Sequence, residues 1–310
     1  MASKSLLSLN GNSAITYGDQ EHDSDEVSLT TSAPLDRRAV LREAYAEFLG
    51  TMILVLVGDG VVCQTVVSQG IETNNALKKE VNPDLSSYAG DWSTISFGYG
   101  IALMMGLYAS AGVSGGHLNP AVTVAMCRHG RLPWNKAPYY IAAQFAGAFV
   151  GAMVVYIGYY SGLVELNSWE IGTAGIFATY PKDHEGLFAG FIDEIIGSFL
   201  LLLGIFAVTD KFNNEAENGM KPVVIGFILS GIALSFGYNT GFALNPARDF
   251  SPRLFTAIAG WGFKVFTYAN GYFWVPIVAP FFGALLGSEA YVHLISRHHP
   301  TKFVSSSDEA

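Results

Sequence analysis

The tetrapeptide Leu-Asn-Pro-Ala occurs twice in this chain, at 118–121 and 244–247, each time between a glycine-rich stretch and a short apolar run. Asn is a preferred N-cap residue because its side-chain oxygen can accept a hydrogen bond from a backbone N–H that the helix leaves without a partner. Pro suits the first helical position, where no N–H is needed. Each tetrapeptide therefore predicts the start of a short helix. The residues of the two motifs are Asn119, Pro120, Ala121, Asn245, Pro246 and Ala247.

The two predicted helices are too short to cross a bilayer alone. A helix of about ten residues is ~15 Å long, so two of them end to end match a hydrocarbon core of ~30 Å. If each Asn oxygen caps its own helix, the amide NH₂ group remains as a donor beside the positive end of the helix dipole. A single Asn-Pro pair is often an ordinary turn. Two copies in matched surroundings predict a polar site where two half-helices meet.

The composition is that of a membrane protein. Half of the 310 residues are hydrophobic and 14% are charged, which is far more apolar than is usual for a soluble domain. The acidic residues behind the net charge of −9 lie mainly in tails and loops, so the charge indicates little about partners. Six further apolar runs predict transmembrane helices, at 44–68, 92–111, 139–160, 188–208, 222–236 and 273–295.

The two halves of the chain are similar beyond the tetrapeptides. Residues 47–51 on the first span match 194–198 on the fourth, and 144–148 on the third span match 280–284 on the sixth. Because three spans separate the copies, the second half must enter from the opposite face, which makes the halves inverted repeats. The predicted fold is an all-α membrane protein with six transmembrane helices and two re-entrant half-helices. Glycines four residues apart on spans three and six predict close helix contacts.

Lys and Arg are more frequent on the side that holds the N-terminus, which predicts that both termini are cytoplasmic. That side holds Arg37, Arg38, Arg42, Arg128, Arg131, Lys136, Lys211, Lys221 and Arg297, and the outer loops hold Lys78, Lys79, Lys182, Arg253 and Lys264. Cys63 and Cys127 both lie in apolar runs, so we expect them to be buried and not to form a disulfide.

Carboxylates inside spans are costly and usually have a partner. Glu47 and Glu194 occupy equivalent repeat positions, so each is expected to accept hydrogen bonds from backbone N–H groups of its re-entrant loop. The alternative is an unpaired carboxylate at the membrane interface. Asp59, between two glycines, either lines an outer vestibule or lies near the water interface.

Three further polar residues flank the tetrapeptides. Arg248 lies in the first turn of the second half-helix, where a cation opposes the dipole, so a function must require this permanent donor there. Asp249 suits a helix N-terminus, either as a dipole partner or in a salt bridge within the loop. His117 is expected to be a structural histidine bonded to neighbouring backbone, and we predict no metal site because no other ligand lies at a suitable spacing.

Over residues 42–298 the chain resembles the major intrinsic proteins, the aquaporin family. The motifs that carry the resemblance are 114–123, 241–249 and the two Glu segments. Asp249, with Arg253, Pro276 and Ile277, resembles the glycerol-conducting branch. The resemblance implies a channel domain at 37–298, with a first repeat at 40–160 and a second at 188–297. The segments 1–36 and 299–310 are expected to be cytoplasmic tails, the first of them disordered.

The resemblance implies an outer constriction formed by Tyr99, Ala233, Phe242 and Arg248. A small residue at 233, where strict water channels commonly have His, is expected to widen the pore. Tyr99 stands where Trp or Phe is expected in the family, and Gly116 stands where Ala is usual. Glycerol is therefore expected to pass less freely than water.

The function implied is a passive channel for water and small uncharged polyols such as glycerol, which excludes protons and ions. The resemblance also implies a homotetramer in the plasma membrane, with water, glycerol and lipid as partners and no nucleic acid, cofactor or enzymatic activity. The alternatives are a strict water channel with little glycerol flux, a proton-coupled secondary transporter, a membrane enzyme, and a structural junction protein. The first 36 residues either gate the cytoplasmic mouth or form a solvated leader.

Overall fold

A computed structural model describes residues 36–77, 89–167, 169–217 and 219–300, and within these ranges all regular structure is helical. Almost all of the predicted tails, and with them the question of gating, lie outside the described residues. Among the described residues, six helical segments are long and apolar enough to cross a membrane. The protein is an all-α membrane protein, as predicted.

The helices follow the predicted order in each half. They are α1 (Arg37–Leu77), α2 (Trp92–Ser114), α3 (Pro120–Arg128), α4 (Ala137–Gly158), α5 (Tyr160–Leu166), α6 (Ile171–Ala174), α7 (Leu187–Val208), α8 (Lys221–Thr240), α9 (Pro246–Thr256), α10 (Lys264–Gly271) and α11 (Val275–Leu294). Helix α1 is much longer than predicted because polar turns extend it beyond the apolar run. Helices α5, α6 and α10 were not predicted, since they are short and lie in segments without a continuous apolar pattern.

The two repeats pack in the same way. Helix α1 packs on α4 and α7 packs on α11. A Cβ added to Gly147 would overlap a backbone carbonyl of α1, and one added to Gly283 would overlap a carbonyl of α7. Gly151 and Gly287, one turn further along, make the equivalent contacts. The predicted small-residue contacts are confirmed, and they bring each helix pair to backbone contact distance.

The half-helices α3 and α9 meet end to end inside the bundle. The amide nitrogen of Asn119 donates to the carbonyl of Leu244 at 2.8 Å, and that of Asn245 donates to the carbonyl of Leu118 at 2.8 Å. Each repeat therefore supplies an acceptor for the other. This pair of bonds joins the two half-helices into the predicted broken seventh helix.

Candidate functional site

In the first repeat, the re-entrant loop is held by the fully buried carboxylate of Glu47 on α1. It accepts hydrogen bonds from the backbone N–H groups of His117 at 2.9 Å and Leu118 at 2.7 Å. It also accepts from the amide of Gln144 at 2.7 Å and from the hydroxyl of Ser114. Leu118 has a φ of +51°, a strained conformation for a residue with a side chain. The carboxylate thus satisfies the buried N–H groups of a strained turn.

In the second repeat, Glu194 on α7 makes the matching set of bonds. It accepts from the backbone N–H groups of Ala243 at 2.9 Å and Leu244 at 2.8 Å, and from the Thr240 hydroxyl at 2.9 Å. Leu244 also has a φ of +51°. Both carboxylates are 0% exposed, so the alternative of an unpaired interfacial carboxylate is wrong.

The two asparagines cap the half-helices. Asn119 Oδ1 accepts from the N–H of Ala121 at 2.8 Å, and Asn245 Oδ1 accepts from those of Ala247 at 3.0 Å and Arg248 at 3.2 Å. Each amide has two N–H donors and uses one in the bond to the other repeat. One oriented N–H per asparagine therefore remains at the junction of the half-helices.

The structure brings Tyr99, Phe242 and Arg248 together near this junction. The rings of Tyr99 and Phe242 are perpendicular, with centroids 5.4 Å apart. The guanidinium carbon of Arg248 lies 4.6 Å from the centroid of the Tyr99 ring. The carbonyl of Ala233 accepts from the indole of Trp92 at 3.2 Å, and that indole packs edge-on against Phe242. The contact between Trp92 and α8 was not predicted from the sequence, because it is a tertiary contact.

Arg248 is anchored by one of its nitrogens. Its Nη1 donates to the carbonyl of Phe177 at 3.1 Å, and its Nε has no hydrogen-bond partner within the described residues. A guanidinium has five N–H donors, and its planar fork keeps them in fixed directions. The side chain remains 7% exposed. The arrangement holds the guanidinium donors in fixed directions.

The position of Asp59 corrects both sequence-based alternatives, because this residue is fully buried within the bundle. Its Oδ1 accepts from the Tyr99 hydroxyl and lies 3.9 Å from Arg248 Nη1. It therefore neither lines a vestibule nor meets water at the interface. The sequence places Asp59 on α1, but which face of α1 meets α2 is decided by packing.

Asp249 and Arg253 form a buried pair that ties α9 to the loop before α7. Asp249 accepts from Arg253 Nε at 2.9 Å and from both the N–H and the hydroxyl of Thr179 at 2.7 Å. Arg253 also donates to the carbonyls of Thr179 and Val265. Arg253 was predicted in an outer loop, and this is wrong: it lies in α9 and is 1% exposed. These charged residues can be buried in α9 because they pair with each other and with loop carbonyls.

His117 lies beside the first half-helix. Its Nδ1 is 3.2 Å from the hydroxyl of Thr123, so its ring bonds a side chain and not the expected backbone group. Within the described ranges, no group of three or more His, Cys, Asp or Glu residues is placed to hold a metal ion. Cys63 and Cys127 are buried and not in a disulfide, as predicted.

These features define a membrane bundle in which two half-helices meet at their N-terminal ends. The family model described as "Major intrinsic protein" matches residues 35–291. The chain is 45% identical over 269 residues to aquaporin-9 of Mus musculus, covering 85% of each chain. It is 43% identical over 260 residues to aquaglyceroporin-2 of Rhizophagus irregularis, covering 82% of this chain and 77% of the relative.

A solved structure has the same fold. The aquaglyceroporin of Plasmodium falciparum matches with a TM-score of 0.72 and 34% sequence identity, over 83% of this chain and 98% of that one. The chain belongs to the major intrinsic protein family, and it is an integral membrane protein.

Proposed function

We propose that this protein is a passive channel that carries water and small uncharged polyols such as glycerol along the path where α3 and α9 meet. The observation that carries the proposal is the cluster of Tyr99, Phe242 and Arg248, which combines two aromatic faces with fixed guanidinium donors. The relatives of this chain include proteins named aquaporin and aquaglyceroporin.

A polyol fits such a cluster because it has hydroxyl groups along one edge and C–H groups along the other. Arg248 offers donors to the hydroxyl edge, and Phe242 offers an apolar wall to the carbon edge. Pore width and hydrogen bonding then select the solute. Ala233 has a small side chain, which leaves more room in the slot for a carbon chain than a bulky residue would.

Exclusion of cations and protons is proposed to come from the junction of the half-helices. The N-terminal ends of α3 and α9 meet there, and each carries the positive end of a helix dipole. The remaining N–H groups of Asn119 and Asn245 orient each permeating molecule by binding its oxygen.

A proton-coupled transporter is not favoured, because it needs carboxylates that are free to load and release protons. Glu47 and Glu194 instead accept two backbone N–H bonds each. Their role is proposed to be bracing, with His117 and Asp249 bracing the adjacent segments.

Flux through the purified protein in vesicles tests this function. Light scattering is followed after mixing with matched gradients of glycerol and of an impermeant sugar. We expect shrinkage and then reswelling with glycerol, and shrinkage alone with the sugar, both faster than in empty vesicles. Water flux without glycerol entry would favour the strict water channel. Acidification inside the vesicles that is coupled to solute entry would favour the transporter.

We also propose a homotetramer in the plasma membrane with both termini in the cytoplasm. The orientation is inferred from the excess of Lys and Arg on one side. Because Arg253 is buried in α9 and not in an outer loop, the outer side has one basic residue fewer than predicted, which increases this excess. Crosslinking in membranes and protease access to tagged termini test assembly and orientation separately.

A further inference from the structure

A buried carboxylate, that of Asp59, lies behind the constriction and does not itself bind the solute in the proposed function. Asp59 is 0% exposed, although an uncompensated charge in a bundle interior is costly. One oxygen, Oδ1, faces both the Tyr99 hydroxyl and Arg248 Nη1. The other, Oδ2, has no hydrogen-bond partner within the described part of the chain. Asp59 therefore directs all of its described polar contacts to two constriction residues.

The local sequence of α1 permits this contact. Gly58 has no Cβ, and a Cβ placed there would overlap the Tyr99 ring. The ring can therefore lie directly against α1, where its hydroxyl reaches the next residue, Asp59. Gly60, two positions further on, has open space at its Cβ position. The contact with the Tyr99 ring therefore requires glycine at position 58 and not at position 60.

The charges around the constriction also assign a role to Asp59. Asp249 is paired with Arg253 at 2.9 Å, so that pair is balanced on its own. Among the described residues, Asp59 supplies the only ion pair of Arg248. Without Asp59, the guanidinium would be an unbalanced positive charge in a region of low dielectric, where charge effects are strong.

We propose that Asp59 is a positioning and specificity-determining residue: it holds Tyr99 against α1 and balances the charge of Arg248, so that the constriction admits neutral solutes and does not attract small anions. The inference rests on the proposed channel function. The solute still meets the Arg248 donors first, because Asp59 lies behind them and has no exposed surface.

The charge is tested with Asp59→Asn, which keeps an oxygen acceptor for Tyr99 and removes the negative charge. Halide entry into vesicles is followed with a trapped halide-quenched dye, alongside water and glycerol flux per inserted channel. We expect halide flux to rise about tenfold or more, as a unit charge this close to the path implies. A merely structural role would lower all three fluxes together.

Asp193→Asn is the matched control. Asp193 is also a buried carboxyl, but it accepts from the Thr240 hydroxyl at 2.7 Å and pairs with no arginine in the described structure. Its variant is expected to leave halide flux unchanged. Equal halide flux in parent and Asp59→Asn channels, or an equal rise in both variants, would overturn the charge assignment.

The positioning role is tested with Gly58→Ala against Gly60→Ala. The first adds a methyl group where the Tyr99 ring lies, which displaces the ring toward the path, and the second adds one into open space. The ratio of glycerol to water flux should fall severalfold in Gly58→Ala and stay at the parental value in Gly60→Ala.

Tyr99→Phe removes the hydroxyl that anchors the ring, and it should lower the same ratio. If Gly58→Ala and Tyr99→Phe both match Gly60→Ala, Asp59 does not position the ring. If the parent itself conducts neither water nor glycerol, the proposed function fails instead.

Discussion

Both repeats hold their re-entrant loop with the same arrangement of hydrogen bonds, but the residues around that arrangement differ. In both, a buried glutamate accepts bonds from two backbone N–H groups of the re-entrant loop, and the leucine before the Asn-Pro pair has a φ of +51°. In the first repeat the brace is completed by the neutral side chains of Ser114 and Gln144. In the second repeat, the half-helix adds Arg248, Asp249 and Arg253.

This difference distinguishes the residues that hold the fold together from the residues that are proposed to select the solute. What the repeats share satisfies backbone groups and holds the two half-helices in place. The half-helix of the second repeat also carries Arg248, Asp249 and Arg253, and Phe242 lies in the loop before it. Selectivity is therefore expected to depend on these residues together with Tyr99 and Asp59 of the first repeat, and stability on the braces of both repeats.

The largest effect should come from removing either brace. Glu47→Ala and Glu194→Ala each leave two buried N–H groups without an acceptor, at roughly 1–3 kcal/mol for each group. We expect a large loss of folded protein in both variants, measured by size-exclusion chromatography after heating in detergent. Glu47→Gln keeps one acceptor and should lose less. Parental heat resistance in both alanine variants would disprove the shared brace.

The second-largest effect is expected from the Asp249–Arg253 pair, which is found only in the second repeat. Arg253→Met leaves Asp249 buried without its cation, and breaking such a pair costs about 3–5 kcal/mol. The double variant Asp249→Asn, Arg253→Met should recover part of this loss because no unpaired charge remains. Melting curves of the two variants give the comparison. A double variant less stable than Arg253→Met would contradict the charge-pair explanation.

The glycine contacts should be equivalent in the two halves. Gly147→Ala and Gly283→Ala each place a methyl group against a carbonyl of the neighbouring helix, and overpacking costs about 1–3 kcal/mol. Gly112→Ala, in α2, adds its methyl into open space and is the control. Similar falls in melting temperature for the first two, and no fall for the third, are expected. A fall in only one half would show that the repeats do not pack alike.

Selectivity should respond at the constriction without a comparable loss of stability. Ala233→His fills space beside Trp92 and Phe242, so glycerol flux should fall at least about tenfold while water flux persists. Light scattering under glycerol and sugar gradients measures both fluxes. A parallel fall in the two fluxes would mean that position 233 blocks the path and does not select.

The smallest effect concerns the start of α2. Asp91 caps this helix through the N–H of Thr94, whereas the N-cap residue of its counterpart α8, Met220, makes no side-chain cap. Hydrogen bonds from Thr94 hold the pKa of Asp91 below its ordinary value of 3.8. Because the folded pKa is the lower one, the cap stabilises the protein above pH 3.8 and loses this effect as the pH falls through the lowered pKa. Asp91→Ala should lower the melting temperature slightly at pH 7 and not at strongly acidic pH. A pH-independent difference would point to a role other than the ionised cap.

The sequence alone predicted much of the scaffold, because its signals are local or repeated. Asn119 and Asn245 were identified as helix starts from residue chemistry, and Glu47 and Glu194 as equivalent positions from the internal repeat. Long apolar runs located the spans, although their ends differ by several residues where polar turns extend a helix. Tyr99, Ala233, Phe242 and Arg248 were chosen by resemblance to a family.

The tertiary structure decided which polar residues meet. Asp59 and Tyr99 are 40 residues apart on different helices, and Arg253 was misplaced because its partners lie on two other segments. The position of a residue along a helix follows from local pattern, but the direction in which that helix turns its faces depends on packing against its neighbours. The contacts of Asp59, Trp92 and Arg253 were therefore visible only once the helices had been assembled.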